Sequence, residues 1–318
     1  MTPSTSPARS GLAVVVVSYG SHALLHANLV RTAREEDLVV VVDNRTDDAE
    51  RAAVRDLALR HGWDVLEPVA NLGFGAGMNL GVARAVELGA TELLLLNPDA
   101  WMAPEDVGAL HDAVRDDPRA LVVPRIERSD GTPWASGTTD LYLRDGTMHP
   151  TRARPAGFEV GRDVEEWVSG ACVALSRTLW EDVGGFDPEY FLYWEDVDLS
   201  RRARAAGARL RVLDEVVAVH DEGGTHRDPG RGRAKSATYY RYNVRNRMLY
   251  AHRWLGREGV RRWRRSSPGA AWAVLLQGGR RQILTVRPVL AVCRGLVEGL
   301  VVGARTRPAR ARGGGHRR

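Results

Sequence analysis

The sequence predicts an α/β fold, built on a doubly wound and mostly parallel sheet, with a basic helical extension at its C-terminal end. Two runs rich in β-branched residues, Leu12–Tyr19 and Leu38–Asn44, are almost continuously apolar. Such runs are typical of strands that a parallel sheet buries on both faces. Between them, His22–Arg34 can form the crossover helix that two parallel strands require.

The alternation of strands and helices continues to about residue 100. We expect a helix over Ala49–His61, a strand over Trp63–Pro68, a glycine-rich turn and helix over Asn71–Gly89, and a buried strand over Glu92–Ala100. In a doubly wound sheet a ligand binds at the carboxyl ends of the strands. The functional site is therefore expected at that edge.

The next part of the chain is less regular. Residues 127–166 are rich in Gly, Thr, Ser, Pro and Asp, which favours loops and short antiparallel strands. We expect one buried strand over Trp167–Leu175, a short helix and a turn over Arg177–Phe191, and one or two strands over Leu210–His220.

Charge is distributed unevenly along the chain. There are 45 basic and 40 acidic residues, a net charge of +5, but arginine is concentrated between Arg227 and Arg318. We expect a first domain of residues 1–230 and a basic helical region of residues 231–318 with a disordered tail. A basic region of this kind is typical of contact with a polyanionic membrane or nucleic acid.

Two periodic sets of residues favour the membrane. Ile283, Leu290 and Val297 recur every seven positions, as do Arg280, Arg287 and Arg294. A helix with this spacing would carry one apolar and one cationic stripe. Pro288 is expected to kink or break that helix. Trp254 and Trp263, which lie among arginines, would anchor at the membrane interface. The alternative is a helical pair packed on the rest of the chain or on a second copy. No nucleic-acid partner is expected, because the α/β part has no basic-aromatic platform.

The location is inferred from what the chain lacks. Only Cys172 and Cys293 occur, which implies neither a disulfide framework nor a cysteine zinc site. The N-terminal run LAVVVV is too short for a signal peptide, and no apolar stretch is long enough for a spanning helix. We expect a cytoplasmic protein, peripheral on the inner face of the plasma membrane.

Polar residues follow each of the four predicted strands. They are Ser18 and Tyr19, Asp43 and Asn44, Asn71 beside Gly73, and Asn97 and Asp99. Each group alone is typical of a turn. Because the carboxyl ends of parallel strands meet at one sheet edge, together they predict a nucleotide site. Asn79, on the following helix, belongs to the same candidate set.

Asp99 is the candidate metal ligand. It follows Pro98, which restricts the backbone at the end of a buried strand. A Mg²⁺ or Mn²⁺ ion that bridges a diphosphate needs few protein ligands, since phosphate oxygens and water complete its shell. His220 is the candidate partner and His226 an alternative, although a histidine at a strand end is more often structural.

The segment FLYWEDVDLSRRARAAG places Glu195, Asp196 and Asp198 beside large aromatic residues. Acids at the start of a helix are favoured by its dipole, so a capping role explains them without any chemistry. The alternative is a catalytic acid or base whose hydration the aromatic residues limit. Position along the chain alone leaves both open.

A series of motifs in order along the chain resembles the family 2 inverting glycosyltransferases of the GT-A fold, in particular the bacterial rhamnosyltransferase-like branch. The series is VVVVSYG, VVVDN, NLGFGAGMNLG, LLLNPDA, SGACVALSR, GGFDPEYFLYWEDVDLSRRARAAG and VVAVHDEGGT. The resemblance covers roughly Leu12 to Thr225. It implies a nucleoside-diphosphate sugar as donor, with dTDP-rhamnose favoured, and a cell-envelope glycan on a polyprenyl carrier as acceptor.

The resemblance also implies roles for single residues. Ser18, Tyr19, Asp43 and Asn71 match positions around the base and ribose. Asn97 stands where the family often has the first aspartate of its metal motif, which leaves Asp99 as the main ligand, with His220 beside the metal or diphosphate. Asp196 matches the catalytic base, and Gly170 and Ala171 line the acceptor side. From their position beside Asp196, we also expect Glu195 to orient the acceptor, and Tyr193 and Trp194 to stack on a sugar face on the acceptor side.

Three other functions are weaker alternatives. A glycosidase also uses two carboxylates beside aromatic residues, but it needs no nucleotide-like sheet edge. A sugar nucleotidyltransferase normally has a basic loop after its first strand, and SYGSHALL contains neither lysine nor arginine. A non-catalytic membrane or nucleic-acid binder explains only the basic C-terminal region.

Overall fold

The structure is a computed structural model that describes residues 11–20, 22–135, 137–220 and 235–305. These residues form two compact units. The first contains residues 11–141 and 148–220, and the second contains Tyr142–Thr147 and residues 235–305. The expected domain boundary near residue 230, His226 and the C-terminal tail lie outside the described residues.

The first unit is built on a nine-stranded and a three-stranded sheet. The strands are β1 (Leu12–Ser18), β2 (Leu38–Asp43), β3 (Asp64–Leu66), β4 (Glu92–Leu96), β5 (Ala100–Met102), β6 (Ala120–Glu127), β7 (Pro133–Ala135), β8 (Thr139–Tyr142), β9 (Met148–Pro150), β10 (Val164–Trp167), β11 (Cys172–Ser176) and β12 (Arg209–His220). The large sheet has the order β3-β2-β1-β4-β11-β6-β12-β5, with β7 paired to β6, and the small sheet has the order β10-β8-β9.

Helices connect the strands of the first unit and make up most of the second. Those of the first are α1 (His22–Leu24), a π-helical turn (Leu25–Leu29), α2 (Val30–Thr32), α3 (Asp48–His61), α4 (Phe74–Glu87), α5 (Pro104–Asp116), α6 (Arg177–Val183) and α7 (Glu195–Ala205). Those of the second are α8 (Ala237–Trp254), α9 (Arg257–Gln277) and α10 (Val286–Arg305). Short 3₁₀ turns cover Thr151–Ala153 and Arg280–Leu284.

The large sheet is buried on both faces. Strands β1 to β4 run parallel to one another, and β6 and β12 form a second parallel pair. Strand β11 joins the two groups and is antiparallel to both β4 and β6. Along β1, Val14 and Val16 belong to the core on one face, while Val15 and Val17 belong to the core on the other. This explains why the strand is apolar at every position from Leu12 to Val17, and it confirms the predicted fold class.

The expected single strand over Trp167–Leu175 is wrong. The chain forms β10 in the small sheet, leaves it at Val168, and enters the large sheet as β11 at Cys172. Val168 and Ala171 are buried in the intervening turn, so the apolar pattern does not reveal the break. The Asn97 N–H donates to Ala171 O at 2.9 Å, which fixes this turn beside the end of β4.

The second unit confirms the predicted helical extension but corrects two details. Pro288 lies in the first turn of α10, where the N–H groups have no helical partner, so it neither kinks nor breaks the helix. Trp263 is fully buried, and its Nε1–H donates to Leu143 O at 2.9 Å, so it cannot anchor at a membrane interface. Within the described ranges, no helix is long and apolar enough to cross a membrane.

Candidate active site

The expected strand-end residues come together at one edge of the large sheet. The Asn44 N–H donates to Ser18 O at 2.8 Å, and the Asn44 side-chain amide donates to Gly73 O at 3.0 Å and accepts from the Leu72 N–H at 2.8 Å. Ser18, Asp43 and Asn44 are all buried. Asn44 therefore connects the ends of β1 and β2 to the loop before α4.

Two exposed side chains and one buried carboxylate border this edge. Tyr19 and Asn71 are exposed, and Asn71 Oδ1 accepts from the Gly73 N–H at 2.8 Å. Asp43 is buried, and its Oδ2 lies 2.7 Å from Arg51 Nε. The Arg51 guanidinium, which also donates to Pro68 O at 2.9 Å, holds the Asp43 carboxylate in place. The carboxylate thus has a fixed orientation at the end of β2.

Gly73 connects this sheet edge to the acidic segment. Its φ is +82°, and a Cβ at this position would overlap Phe191 O. The adjacent Phe74 N–H donates to the same oxygen at 2.8 Å. Only glycine allows this close approach without a backbone shift.

Asn79 lies one turn further along α4, and both its polar atoms are used by the protein. Its Nδ2 donates to Phe186 O and its Oδ1 accepts from the Phe186 N–H, both at 2.8 Å. These bonds give the side chain a structural role at the turn after α6. Its assignment to the nucleotide-sugar site stays a prediction.

Asp99 and His220 meet because of the sheet register. Strand β12 pairs with β5 so that His220 lies opposite Ala100, directly after Asp99. His220 Nε2 is 3.0 Å from Asp99 Oδ1 and 3.5 Å from Asn97 Nδ2. Both Asp99 and His220 are buried. Asp99 and His220, which are 121 residues apart in the sequence and were expected to form a metal site, are therefore neighbours.

This pair fits a divalent ion. A carboxylate oxygen and an imidazole nitrogen are both ligands of divalent ions, and Asp99 Oδ1 and His220 Nε2 lie within hydrogen-bond distance of each other, at 3.0 Å. Among the described residues, no group of three or more His, Cys, Asp or Glu could hold a metal. A bound ion would therefore take its remaining ligands from substrate oxygens and water.

Trp134 is a residue of this site that sequence reasoning missed. Its ring lies edge to face against the His220 ring, with centroids 4.6 Å apart and planes at 83°. The His220 Nδ1 atom is buried and has no hydrogen-bond partner among the described residues. The only signal in the sequence is an isolated tryptophan within the Gly- and Pro-rich region 127–166.

The acidic residues begin α7 and follow an unusual backbone. Tyr193 and Trp194 both have positive φ, 67° and 75°, which is uncommon for residues other than glycine. Two consecutive left-handed residues of this size indicate local strain, and such strain often accompanies function. The turn directs the chain into α7 at Glu195.

Asp196 is the better held of the two acids. Its Oδ2 accepts from the Gly170 N–H at 3.1 Å and its Oδ1 accepts from the Val197 N–H at 2.9 Å. Glu195 is buried, and its Oε2 has no hydrogen-bond partner among the described residues. Asp198 instead pairs with Arg202 at 2.7 Å, which gives it a structural role.

The two acids differ in the groups that set their pKa values. Burial raises the pKa of Glu195 well above its ordinary value, and the nearby charge of Asp196 raises it further. Burial also raises the pKa of Asp196, but the N–H groups of Gly170 and Val197 act in the opposite direction. These N–H groups therefore favour the ionised form of Asp196, while its raised pKa makes it a stronger base than an exposed aspartate.

Comparison with known proteins identifies the family. Residues 7–228 match the model of the glycosyltransferase-like family 2. The chain belongs to this family. An N-acetylglucosaminyl-diphospho-decaprenol L-rhamnosyltransferase of Mycobacterium tuberculosis is 31% identical over 244 residues, which cover 69% of this chain and 78% of that protein. The low-salt glycan biosynthesis hexosyltransferase Agl10 of Haloferax volcanii is 24% identical over 212 residues, 66% of this chain and 67% of that protein.

Solved structures support the fold. The mannosyltransferase PcManGT from Pyrobaculum calidifontis, in complex with GDP-Man and Mn²⁺, superposes with a TM-score of 0.54 at 17% identity and covers 94% of this chain and 88% of its own. GalNAc-T7 with UDP, GalNAc and Mn²⁺ gives a TM-score of 0.53 at 16% identity, and the match covers 81% of this chain and 55% of that one. The resemblance inferred from the motif series, a family 2 enzyme of the GT-A fold, is confirmed.

Proposed function

We propose that this glycosyltransferase moves a sugar from a nucleoside-diphosphate sugar to a hydroxyl of a cell-envelope glycan or lipid-linked acceptor, with inversion at the anomeric carbon. The observation that carries the proposal is the acid pair at the start of α7. Asp196 is held by two N–H groups, and burial together with the charge of Asp196 raises the pKa of Glu195 beside it. This arrangement provides one positioned base in an environment that raises its basicity.

Asp196 is the proposed general base. In an inverting transfer the acceptor hydroxyl attacks the anomeric carbon in one step, opposite the leaving diphosphate. A sugar hydroxyl is a poor nucleophile at neutral pH, so a carboxylate must accept its proton as the new bond forms. The raised pKa of Asp196 favours this transfer, and the Gly170 N–H keeps its Oδ2 in a fixed place.

Glu195 and the neighbouring groups would bind the acceptor. A protonated Glu195 can donate a hydrogen bond to an acceptor oxygen, which its unpartnered Oε2 permits. Gly170, Ala171, Tyr193 and Trp194 lie in the two turns that flank Asp196, and the aromatic rings provide apolar surface for a sugar face.

Asp99 and His220 would hold the divalent ion. Mn²⁺ suits a carboxylate and imidazole pair better than Mg²⁺, which strongly prefers oxygen ligands. When bound, such an ion neutralises the charge that develops on the leaving diphosphate. The Mn²⁺ that accompanies the two structural relatives supports this assignment.

The edge formed by β1, β2 and the loop before α4 would bind the nucleotide. Asp43 and Asn44 supply oriented acceptors and donors, Tyr19 supplies an exposed ring, and Ser18, Asn71 and Gly73 lie around them. The rhamnosyltransferase of Mycobacterium tuberculosis supports rhamnose as the transferred sugar and a polyprenyl-diphosphate-linked sugar as the acceptor. The motif resemblance favours dTDP as the nucleoside diphosphate. An acceptor on a lipid carrier supports peripheral placement on the inner face of the plasma membrane.

The decisive experiment is the Asp196→Asn variant. We expect it to fold, to bind the nucleotide sugar with unchanged affinity, and to transfer sugar more slowly by about three orders of magnitude or more, because the amide cannot accept the proton. Binding is measured by calorimetry and transfer by separating the glycosylated product. The exposed Asp56→Asn variant is the matched control. Transfer within about tenfold of wild type would place the base elsewhere, and Glu195 would be tested next.

Donor identity is tested with a panel of sugar nucleotides. Slow hydrolysis of the donor without acceptor reports which sugar and base the site accepts. We expect dTDP-rhamnose to be consumed fastest, and hydrolysis by the Asp99→Ala variant to be much slower. If no sugar nucleotide were bound or consumed, the transferase assignment would fail.

A further inference from the structure

Exposed apolar side chains are concentrated in one part of the second unit. Of the fourteen large apolar residues that are exposed within the described ranges, eight lie between Trp272 and Val301. Isolated exposed apolar residues are normal, but a contiguous group usually marks a surface that contacts something else.

Helix α10 presents these residues on one face. Val286, Leu290, Val297 and Val301 are spaced four, seven and four residues apart, which places them along one side of a helix. The exposed fractions of Val286, Leu290 and Val297 are 70%, 61% and 62%. Leu284, in the preceding 3₁₀ turn, is 88% exposed and lies next to this side in the sequence. We call these five residues the α10 outer stripe.

The opposite side of α10 is occupied by its own unit. Ala291 and Val292 belong to the small apolar core that α8 and α9 complete. A Cβ on Gly295 would overlap Arg241 O, and one on Gly299 would lie 3.1 Å from Met248 Cβ. These close contacts with α8 fix the rotation of α10, so the outer stripe cannot turn inwards.

Positive charge surrounds the outer stripe. Arg280, Arg281 and Arg287 are exposed, and none forms an ion pair with another described residue. Residues 235–305 contain 15 basic side chains and two acidic ones, Glu258 and Glu298. The stripe therefore lies within a strongly cationic surface.

We propose that the α10 outer stripe, with Arg280, Arg281 and Arg287 beside it, is the surface on which this chain docks to an anionic phospholipid membrane. Apolar side chains enter the boundary between headgroups and acyl chains, while arginines pair with lipid phosphates. A symmetric contact with a second copy is less favourable, because the same patch on each copy would bring like cations together. The inference rests on the proposed membrane placement and names the residues responsible.

The test uses the full chain and sedimentation with vesicles of phosphatidylglycerol and phosphatidylcholine. We expect wild type to bind, and the Leu290→Gln/Val297→Gln variant to bind at least tenfold more weakly, because two apolar side chains no longer partition into the interface. The Leu59→Gln/Val69→Gln variant is the matched control, since these residues are 83% and 86% exposed in the first unit. It should bind as wild type does.

A charge variant and a mass measurement complete the design. The Arg280→Gln/Arg281→Gln/Arg287→Gln variant should also bind anionic vesicles at least tenfold more weakly than wild type, since each lost cation removes attraction to the lipid. Binding of the stripe variant as tight as that of wild type would overturn the inference. So would a wild-type dimer that the stripe substitutions convert to monomer, which would assign the stripe to a second copy.

Catalysis is measured separately with a detergent-solubilised acceptor. Both variants should retain wild-type transfer there, because the stripe lies outside the proposed catalytic residues. If wild type bound vesicles but transferred no sugar, the proposed function would fail and the docking surface would stand. If wild type transferred sugar but bound no vesicle, the docking surface would fail alone.

Discussion

The donor and acceptor sides of the candidate site differ in how their charged groups are compensated. On the donor side each buried carboxylate has a cationic or imidazole partner, Asp43 with Arg51 and Asp99 with His220. On the acceptor side, Glu195 and Asp196 lie together and neither forms an ion pair with a described residue. This difference fits the proposed roles: paired carboxylates suit donor binding, whereas acids with a raised pKa suit proton transfer.

On the donor side, the largest effect is expected from Asp99→Ala. Removing the carboxylate should lower transfer by about two to three orders of magnitude, since the leaving diphosphate loses the ion that neutralises it. Rates are measured across a Mn²⁺ titration, with Asp112→Ala on α5 as control. If wild type kept full activity in excess EDTA, cationic side chains rather than a metal would have to stabilise the diphosphate.

A smaller effect is expected from Gly73→Ala, because Gly73 lies where the proposed donor and acceptor sides meet. The φ of +82° and the overlap with Phe191 O should lower the free energy of unfolding by about 2–3 kcal/mol. Urea unfolding measures the change. Gly89 also has a positive φ but no atom within 4 Å of an added Cβ, so Gly89→Ala separates strain from overlap. Equal losses in the two variants would show that the contact with Phe191 does not matter.

The acceptor side predicts a distinctive pH dependence of stability. Because the folded pKa of Glu195 is raised, the folded state holds a proton that the unfolded state releases near pH 4.5. Wild-type stability should therefore fall, relative to Glu195→Gln, as pH rises from about 4.5 towards the raised pKa. Chemical unfolding at several pH values measures this, with the exposed Glu258→Gln as control. A constant difference between wild type and Glu195→Gln would mean that Glu195 is not protonated in the fold.

The smallest effect is expected from Trp134→Phe. Phenylalanine keeps an aromatic face against His220 but is smaller, so the apparent affinity for Mn²⁺ should weaken by a few-fold while kcat changes little. Trp134→Ala should weaken it further. The exposed Trp272→Phe serves as control. A fall in kcat without any change in the metal titration would indicate that Trp134 contacts substrate rather than positioning His220.

The sequence could predict the parts of the site that depend on local pattern. Continuous apolar runs gave β1 and β2, and polar residues directly after them gave Ser18, Asp43 and Asn44. The family resemblance placed Asp196 and paired Asp99 with His220. The position of each residue after a strand or at the start of a helix can be read from a short segment, whereas the contact between Asp99 and His220 follows from the pairing of β5 with β12.

Other features depend on contacts between distant parts of the chain and could not be predicted. Trp134 reaches His220 only because β7 and β12 both pair with β6, and no short pattern encodes that. Trp263 was expected at a membrane interface because it lies among arginines, yet a backbone carbonyl 120 residues earlier accepts its N–H. The bonds from both polar atoms of Asn79 to Phe186, 107 residues later, likewise follow from no short pattern.

The turn Tyr142–Thr147 has a consequence for synthesis on the ribosome. The carbonyls of Leu143 and Asp145 in this turn accept hydrogen bonds from Trp263 and from the buried guanidinium of Arg247. Trp263 is made 120 residues after Leu143, a delay of roughly 6–24 seconds at about 5–20 residues per second. The nascent turn lacks these partners for that time, so its contacts with the helical region form only after Trp263 has been synthesised.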